Sequence, residues 1–150
     1  MAADNTRLTI AGRVEGNAKP GIRVYAGPPY YALCTDPYAG ASVNFCRLGS
    51  YYLVAPWAGA SIRVAEGATV SGLSALTVSR DPRAASYVSV DLTNAGTMTG
   101  TAGPAILASQ SVSQNVSATD AATGTIGGIR GGVATIVNDG VISGVGGVAI

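Results

Sequence analysis

The amino-acid sequence predicts an all-β protein, a parallel β-helix (β-solenoid) with an N-terminal cap or insertion, as one domain over residues 1–150. Three observations predict it: an internal repeat, alternating apolar residues before a recurring turn, and a composition that disfavours helix. A chain of 150 residues with 47% apolar residues is long enough for one domain with a substantial core. We therefore expect a single stack of repeats.

The composition is typical of a β-rich, extracellular type of protein. Glycine contributes 21 residues, and charged residues only 11%, below the roughly 25% usual in soluble domains. Lys19 is the only lysine, and Glu15 and Glu66 are the only glutamates. Because these strong helix formers are scarce and no apolar stripe recurs at helical spacing, helices are not expected.

The net charge of +1 gives no large basic surface, so nucleic acid is not an expected partner. No apolar run approaches the roughly 20 residues that span a bilayer, so we expect no membrane span in this chain. The start, MAADNTRLTI, lacks the layout of a signal peptide. The alternative is a signal peptide that has already been removed, with Met1 added to a mature start near Ala2 or Ala3.

The repeat is visible in three similar segments. GTMTGTAGPAI from Gly96 aligns without gaps on GRVEGNAKPGI from Gly12, and GVISGVGGVAI from Gly140 has the same frame. Weaker copies begin at Thr69 (TVSGLSAL) and Gly124 (GTIGGIRGGVA). The central apolar residues of the five copies are Val14, Val70, Met98, Ile126 and Ile142.

These central residues are 56, 28, 28 and 16 positions apart. The first interval is twice the next two, which predicts one further repeat hidden by an insertion near the cysteines. The last interval is short, so Ile126 and Ile142 either follow one another in the stack or lie on different faces of one repeat.

Alternating apolar residues precede the turn in two copies, before Asn94 and before Asn138. Side chains of a strand alternate between its two faces, and Asn-x-Gly is expected to turn the backbone through left-handed conformations. When repeats stack, each would then bury one row of apolar side chains in the interior. The predicted interior comprises Val14, Ile22, Val70, Val90, Leu92, Met98, Ile106, Ile136 and Ile142.

The segments LTNAGTMTGTAGPAI (Leu92 to Ile106) and IVNDGVISGVGGVAI (Ile136 to Ile150) resemble the coils of autotransporter passenger domains. The resemblance covers the chain from about Val64 onward and, less clearly, residues 7–22. It implies a right-handed parallel β-helix, an N-terminal fragment of such a passenger, that is secreted or displayed on the bacterial cell surface after export across the outer membrane.

Residues 25–57 interrupt the repeat and hold eight of the nine aromatic residues. They are either an N-terminal cap over the first repeat, which we favour, or a binding platform; buried rings could cap while exposed rings bind. The residues proposed for binding are Tyr30, Tyr31, Tyr38, Tyr51, Tyr52 and Trp57.

Cys34 and Cys46 enclose eleven residues rich in turn formers. In a secreted chain we expect them to form a disulfide, and the alternative is a pair of reduced, separately buried thiols.

Catalytic and metal-binding patterns are weak in this sequence. It contains no histidine, which removes the usual general base and any Ser-His-Asp arrangement. Two cysteines without histidine cannot complete a zinc site, and we expect no metal and no cofactor. The glycines around Arg130 are interpreted as corners of the solenoid rather than an anion cradle. The candidate acids for carboxylate catalysis are Asp4, Glu15, Asp36, Glu66, Asp81, Asp91, Asp120 and Asp139.

The favoured function is a non-catalytic scaffold at the bacterial surface that mediates adhesion or self-association, with specificity in the aromatic segment and in loops around Arg80 and at 110–120. Surface glycans or proteins of the host or of bacteria are the expected partners, with self-association through the open C-terminal coil at Ile150. One alternative is a carbohydrate-active β-helix enzyme, a polysaccharide hydrolase or lyase, which grouped carboxylates would favour. The other is a capping or assembly module of a larger surface protein.

Overall fold

A computed structural model describes residues 5–27, 30–33, 51–54, 57–81, 87–108, 114–131 and 135–143. These residues form strands and no helix, and therefore contain no helix that could cross a membrane. The strands are β1 Asn5–Ile10, β2 Arg13–Glu15, β3 Ile22–Ala26, β4 Tyr30–Leu33, β5 Tyr51–Val54, β6 Trp57–Val64, β7 Thr69–Gly72, β8 Leu76–Arg80, β9 Tyr87–Asn94, β10 Thr97–Gly100, β11 Ile106–Ala108, β12 Gln114–Asp120, β13 Thr125–Ile126, β14 Ile129–Gly131, β15 Thr135–Asn138 and β16 Val141–Ile142.

Three parallel sheets contain all of these strands except β4 and β5. Sheet A has the order β1-β6-β9-β12-β15, sheet B the order β2-β7-β10-β13-β16, and sheet C the order β3-β8-β11-β14. The chain visits sheets A, B and C in that order and then begins again. We call each passage a repeat: the first is β1 to β3, the second β6 to β8, the third β9 to β11, the fourth β12 to β14, and the fifth begins with β15 and β16.

The five central apolar residues form a single column across sheet B. Val14 pairs with Val70, Val70 with Met98, Met98 with Ile126, and Ile126 with Ile142. The predicted hidden repeat is therefore wrong: the interval of 56 residues is one repeat step that contains an insertion. Ile126 and Ile142 follow one another in the same sheet, which rules out different faces of one repeat.

The core is a row of inward side chains that continues from repeat to repeat. Val70, Val90, Leu92, Met98 and Ile106 are buried as predicted. The remaining four predicted core residues, Val14, Ile22, Ile136 and Ile142, are only half-buried and pack against its margin. They lie in the first and fifth repeats, where neighbouring strands in the described chain cover one side only.

Glycine after the sheet A corner has a different role from the one predicted. Gly96 and Gly140 do not adopt positive φ; the described positive-φ residues are Asn17, Gly67, Gly128 and Gly131. A Cβ on Gly96 would instead lie 2.6 Å from Ala65 O of the preceding repeat. The corner needs glycine because adjacent repeats approach closely there, and left-handed geometry is not the reason.

Strands β4 and β5 lie between β3 and β6 in the sequence and pair antiparallel with each other.

Two segments expected to be loops differ from that expectation. Residues 114–120 form β12, which pairs with β9 and β15 in the middle of the fold. Asp81, expected in an exposed loop with Arg80, is buried at 4% exposure.

Candidate functional site

Five of the six residues predicted to bind a partner lie on described strands. Tyr30 and Tyr31 belong to β4, Tyr51 and Tyr52 to β5, and the two strands pair so that Tyr31 is opposite Leu53 and Tyr51 opposite Leu33. Trp57 is the first residue of β6 and pairs with Tyr87 of β9. Tyr38, Cys34 and Cys46 lie outside the described residues, so the disulfide stays a prediction that thiol labelling of the unreduced, unfolded chain can test.

A groove of about 340 Å³ opens at the first repeat. Its floor is largely apolar, and its lining includes Thr6 and Leu8 of β1, Ile22 and Val24 of β3, and Ala60 and Ile62 of β6. Leu8 pairs with Ile62, and Ile22 pairs with the buried Leu76, so these residues occupy the inward columns of the stack. The groove is therefore the end of the core, left open beside the first repeat in the described chain.

Arg23 and Tyr25 stand at the side of this groove on β3. The Arg23 guanidinium lies 4.6 Å from the centre of the Tyr25 ring, a cation–π contact, and Tyr25 is 42% exposed. Arg7, Arg13 and Lys19 also belong to the first repeat, where Glu15 is the single acid among residues 5–27. This end of the stack is therefore cationic.

A buried polar pair occupies the corner between sheets A and B. Asn94 ends β9, Asp120 ends β12, and the two are register partners with fully buried side chains. Asn94 Nδ2 donates to Asp120 Oδ1 at 2.7 Å and to Gly96 O at 3.1 Å. Asn138 of β15 is the next residue in this column. The side chain of Asn94 thus joins the third repeat to the fourth.

Two oxygens of this pair, Asn94 Oδ1 and Asp120 Oδ2, accept no hydrogen bond. Burial raises the pKa of the Asp120 carboxyl, because the charged form loses its hydration. The hydrogen bond from Asn94 opposes the rise only in part, as does the nearby N–H of Val141, which itself donates to Gly124 O at 3.2 Å. The raised pKa favours the neutral acid inside the stack.

The sequence argument missed this pair because the turns after Asn94 and Asp120 differ in length. Gly96 follows Asn94 by two positions, whereas Gly124 follows Asp120 by four. The sequence does hold one trace of this pair, the glycines Gly124 and Gly140 that follow Asp120 and Asn138. A Cβ on Gly124 would collide with Asp120 Oδ1, and one on Gly140 would lie 2.7 Å from Asp120 Oδ2, so both glycines make room for the carboxylate.

The described candidate acids are distributed over the stack. Asp91 is exposed on β9, Asp139 is exposed after β15, and Asp120 faces inward. Glu15 forms an ion pair with Arg13 on exposed β2, and Glu66 is exposed at the corner of the second repeat. Among the described residues no three acids, cysteines or histidines are grouped so that they could hold a metal ion. Asp4 and Asp36 lie outside the described residues.

The outward faces carry rows of hydroxyl groups. On sheet B, Thr69, Thr97 and Thr125 are register partners in successive repeats. On sheet A, Thr93 pairs with Thr119, and Asp91 with Ser117. Neighbouring strands are about 4.8 Å apart, so each row presents polar groups at a regular interval. These faces suit hydrogen bonding to a partner more than strong electrostatic attraction.

Comparisons of the chain with protein-family models, with curated proteins and with solved structures found no match.

Proposed function

We propose that the chain is a stretch of right-handed parallel β-helix that acts as a non-catalytic scaffold at the bacterial surface, like the autotransporter passengers that its repeats resemble. The observation that carries the proposal is the inward column Ile62–Leu92–Ala118, which crosses three successive repeats in register and is buried throughout. Such a core extends by adding repeats, which suits an elongated support. Right-handed connections between parallel strands are the strong general preference, which supports the handedness.

Adhesion is the activity that this scaffold would serve. The outward rows of threonine and serine favour partners that offer many hydrogen bonds, such as surface glycans or proteins. The aromatic segment, with Tyr30, Tyr31, Tyr38, Tyr51, Tyr52 and Trp57, would add stacking contacts with such partners. The side chain of Asp120 is buried, whereas those of Asp91 and Asp139 are exposed. This division supports a scaffold over a polysaccharide enzyme, which needs its carboxylates on one face.

The experiment uses beads coated with the chain and measures their retention on epithelial cells, on bacterial cells and on arrayed glycans. A variant with residues 30–54 replaced by a short Gly–Ser linker removes five of the tyrosines and both cysteines. Its matched control is Cys34→Ser with Cys46→Ser, which keeps the tyrosines. Circular dichroism checks that the repeats still fold.

Retention by the wild type and the cysteine control, with loss by the linker variant, is the expected result. If wild-type beads bind none of these surfaces, the adhesive role is wrong. Equal retention by all three chains would show that the repeats, and not the aromatic segment, provide the binding surface.

A further inference from the structure

The outward face of sheet A carries a short motif that the scaffold role does not use. Asn115, Val116 and Ser117 of β12 form the sequence Asn-x-Ser, in which x is not proline. None of the other five asparagines has a serine or threonine two positions later. In secreted proteins this motif is an acceptor for N-linked glycosylation, and the asparagine must then lie at the surface.

The strand places both polar residues of the motif on one face. Side chains of a strand alternate between its two faces, so residues two positions apart point the same way. Val116 is buried at 1% exposure, whereas Asn115 is exposed and Ser117 is half-buried on the outward side. The carboxamide and the hydroxyl that a glycosyltransferase recognises are therefore presented together.

Asn115 differs in this respect from Asn94, which lies on β9 of the same sheet. The side-chain nitrogen of Asn94 donates hydrogen bonds to three oxygen atoms, and the residue is fully buried. Among the hydrogen bonds of the described residues, none involves the side chain of Asn115. Its nitrogen is thus accessible and not held in the structure of the stack.

The neighbouring strand leaves room for a sugar beside Asn115. The register partner of Asn115 on β9 is Ser89, whose side chain is small. Tyr87 lies two positions before Ser89 on the same face and is 40% exposed. Diagonal neighbours of this kind are about 7–8 Å apart, which is within reach of an aromatic side chain. The ring of Tyr87 can therefore lie against the face of a first sugar.

We propose that Asn115 is a site of N-linked glycosylation, modified by a glycosyltransferase that uses an activated sugar. The donor is a sugar whose C1 is linked through oxygen to phosphate, in a nucleoside diphosphate sugar or in a lipid-linked oligosaccharide. A bond forms between Asn115 Nδ2 and C1, and the C1–O bond to phosphate breaks. The phosphate group leaves with the electron pair of that bond, and Nδ2 loses one proton. The proposal needs the proposed surface location but not adhesion.

A glycan at Asn115 would change which faces of the stack a partner can reach. It would cover hydroxyl groups on the outward face of sheet A. The row Thr69–Thr97–Thr125 belongs to sheet B and would stay open. The modification would therefore direct hydrogen bonding by a partner away from sheet A.

The test incubates the folded chain in two separate reactions. One contains UDP-glucose and a soluble N-glycosyltransferase, and the other contains a lipid-linked oligosaccharide and a membrane oligosaccharyltransferase. Mass spectrometry of proteolytic peptides measures the incorporation of sugar. We expect sugar on the peptide that contains Asn115 in at least one reaction, and the reaction that succeeds identifies the class of donor. Absence of sugar from Asn115 in both reactions overturns the proposal.

Ser117→Ala and Ser117→Thr are the matched variants, since both change an outward residue and keep the asparagine. Ser117→Ala should reduce incorporation to background because the hydroxyl is part of the acceptor motif, whereas Ser117→Thr should retain it. Asn115→Gln should also abolish incorporation. Circular dichroism checks that each variant folds. Sugar that persists in Ser117→Ala or Asn115→Gln overturns the assignment. A chain that is glycosylated but adheres to no cell or glycan leaves this inference intact and removes only the adhesive role.

Discussion

Middle and end repeats place the same pattern of residues in different surroundings. One inward column of sheet A contains Leu8, Ile62, Leu92, Ala118 and Ile136 in successive repeats. Leu92 is fully buried, whereas Leu8 is 38% exposed and Ile136 is half-buried. The position of an apolar residue in the repeat thus decides that it faces inward, and the repeats on both sides decide how much of it is buried.

The largest difference should come from placing a charge in this column. We expect Leu92→Asp to abolish folding, since an unpaired buried carboxylate costs at least about 4 kcal/mol, a large part of a domain's stability. Ile136→Asp, at the end, should cost about 1–3 kcal/mol because its carboxylate can reach water. Urea denaturation followed by circular dichroism at low protein concentration measures both. Equal losses would show that the end repeat is as enclosed as the middle.

Glycine corners give the second comparison. Gly96→Ala should destabilise the chain by about 1–3 kcal/mol, because the added methyl group meets the backbone of the second repeat. Gly12 occupies the aligned position in the first repeat, and a Cβ there has nothing within 4 Å. Gly12→Ala should therefore change the free energy of unfolding by less than about 0.5 kcal/mol. A large loss from Gly12→Ala would indicate a contact at the first corner that the described residues do not supply.

The polar corner predicts a pH dependence of stability. The pKa of Asp120 is raised in the folded chain, so the folded state holds this proton more tightly than the unfolded state does. Its contribution to stability is present below the ordinary aspartate pKa and is lost as the pH rises through the raised value. Asp120→Asn removes this loss, so the variant should be more stable than the wild type at neutral pH. At acid pH its free energy of unfolding should not exceed that of the wild type.

Asp91→Asn is the control for that experiment, since Asp91 is exposed on the neighbouring strand of the same sheet. Its free energy of unfolding should follow the wild type across the pH range. Chemical denaturation at several pH values provides the comparison. A wild-type chain more stable than Asp120→Asn at neutral pH would contradict the assignment of a raised pKa.

The smallest effect is expected at the outer surface of the first repeat. Arg13 and Glu15 form an ion pair with 73% and 45% of their side chains exposed. Glu15→Gln should cost less than about 1 kcal/mol, and added salt should reduce the difference further. Glu66→Gln, another exposed glutamate, is the control. A loss of several kcal/mol from Glu15→Gln would mean that this end is shielded from water.

The sequence predicted the all-β class and the equivalence of Val14, Val70, Met98 and Ile126, because side chains that stack on one another keep similar chemistry. Of the buried core it named Val70, Val90, Leu92, Met98 and Ile106. It did not predict which of these residues would be fully buried, since that depends on neighbours elsewhere in the chain. The partnership of Asn94 with Asp120 was also beyond it, because the turn after Asp120 is two residues longer than the turn after Asn94. The sequence also could not show that Val14 pairs directly with Val70. The interval between these two residues would be equally long with an insertion or with a hidden repeat.

The direct pairing of the first and second repeats has a practical consequence for protein engineering. Thirty residues, 27–56, connect β3 to β6, whereas six residues, 81–86, make the corresponding connection from β8 to β9, and both pairs of repeats keep their register. Closing a flexible loop five times longer costs only about 1.4 kcal/mol more in chain entropy than closing the shorter one. This junction is therefore a natural acceptor position for foreign sequences, and an epitope or a small binding peptide grafted there should be carried without rebuilding the stack beneath it.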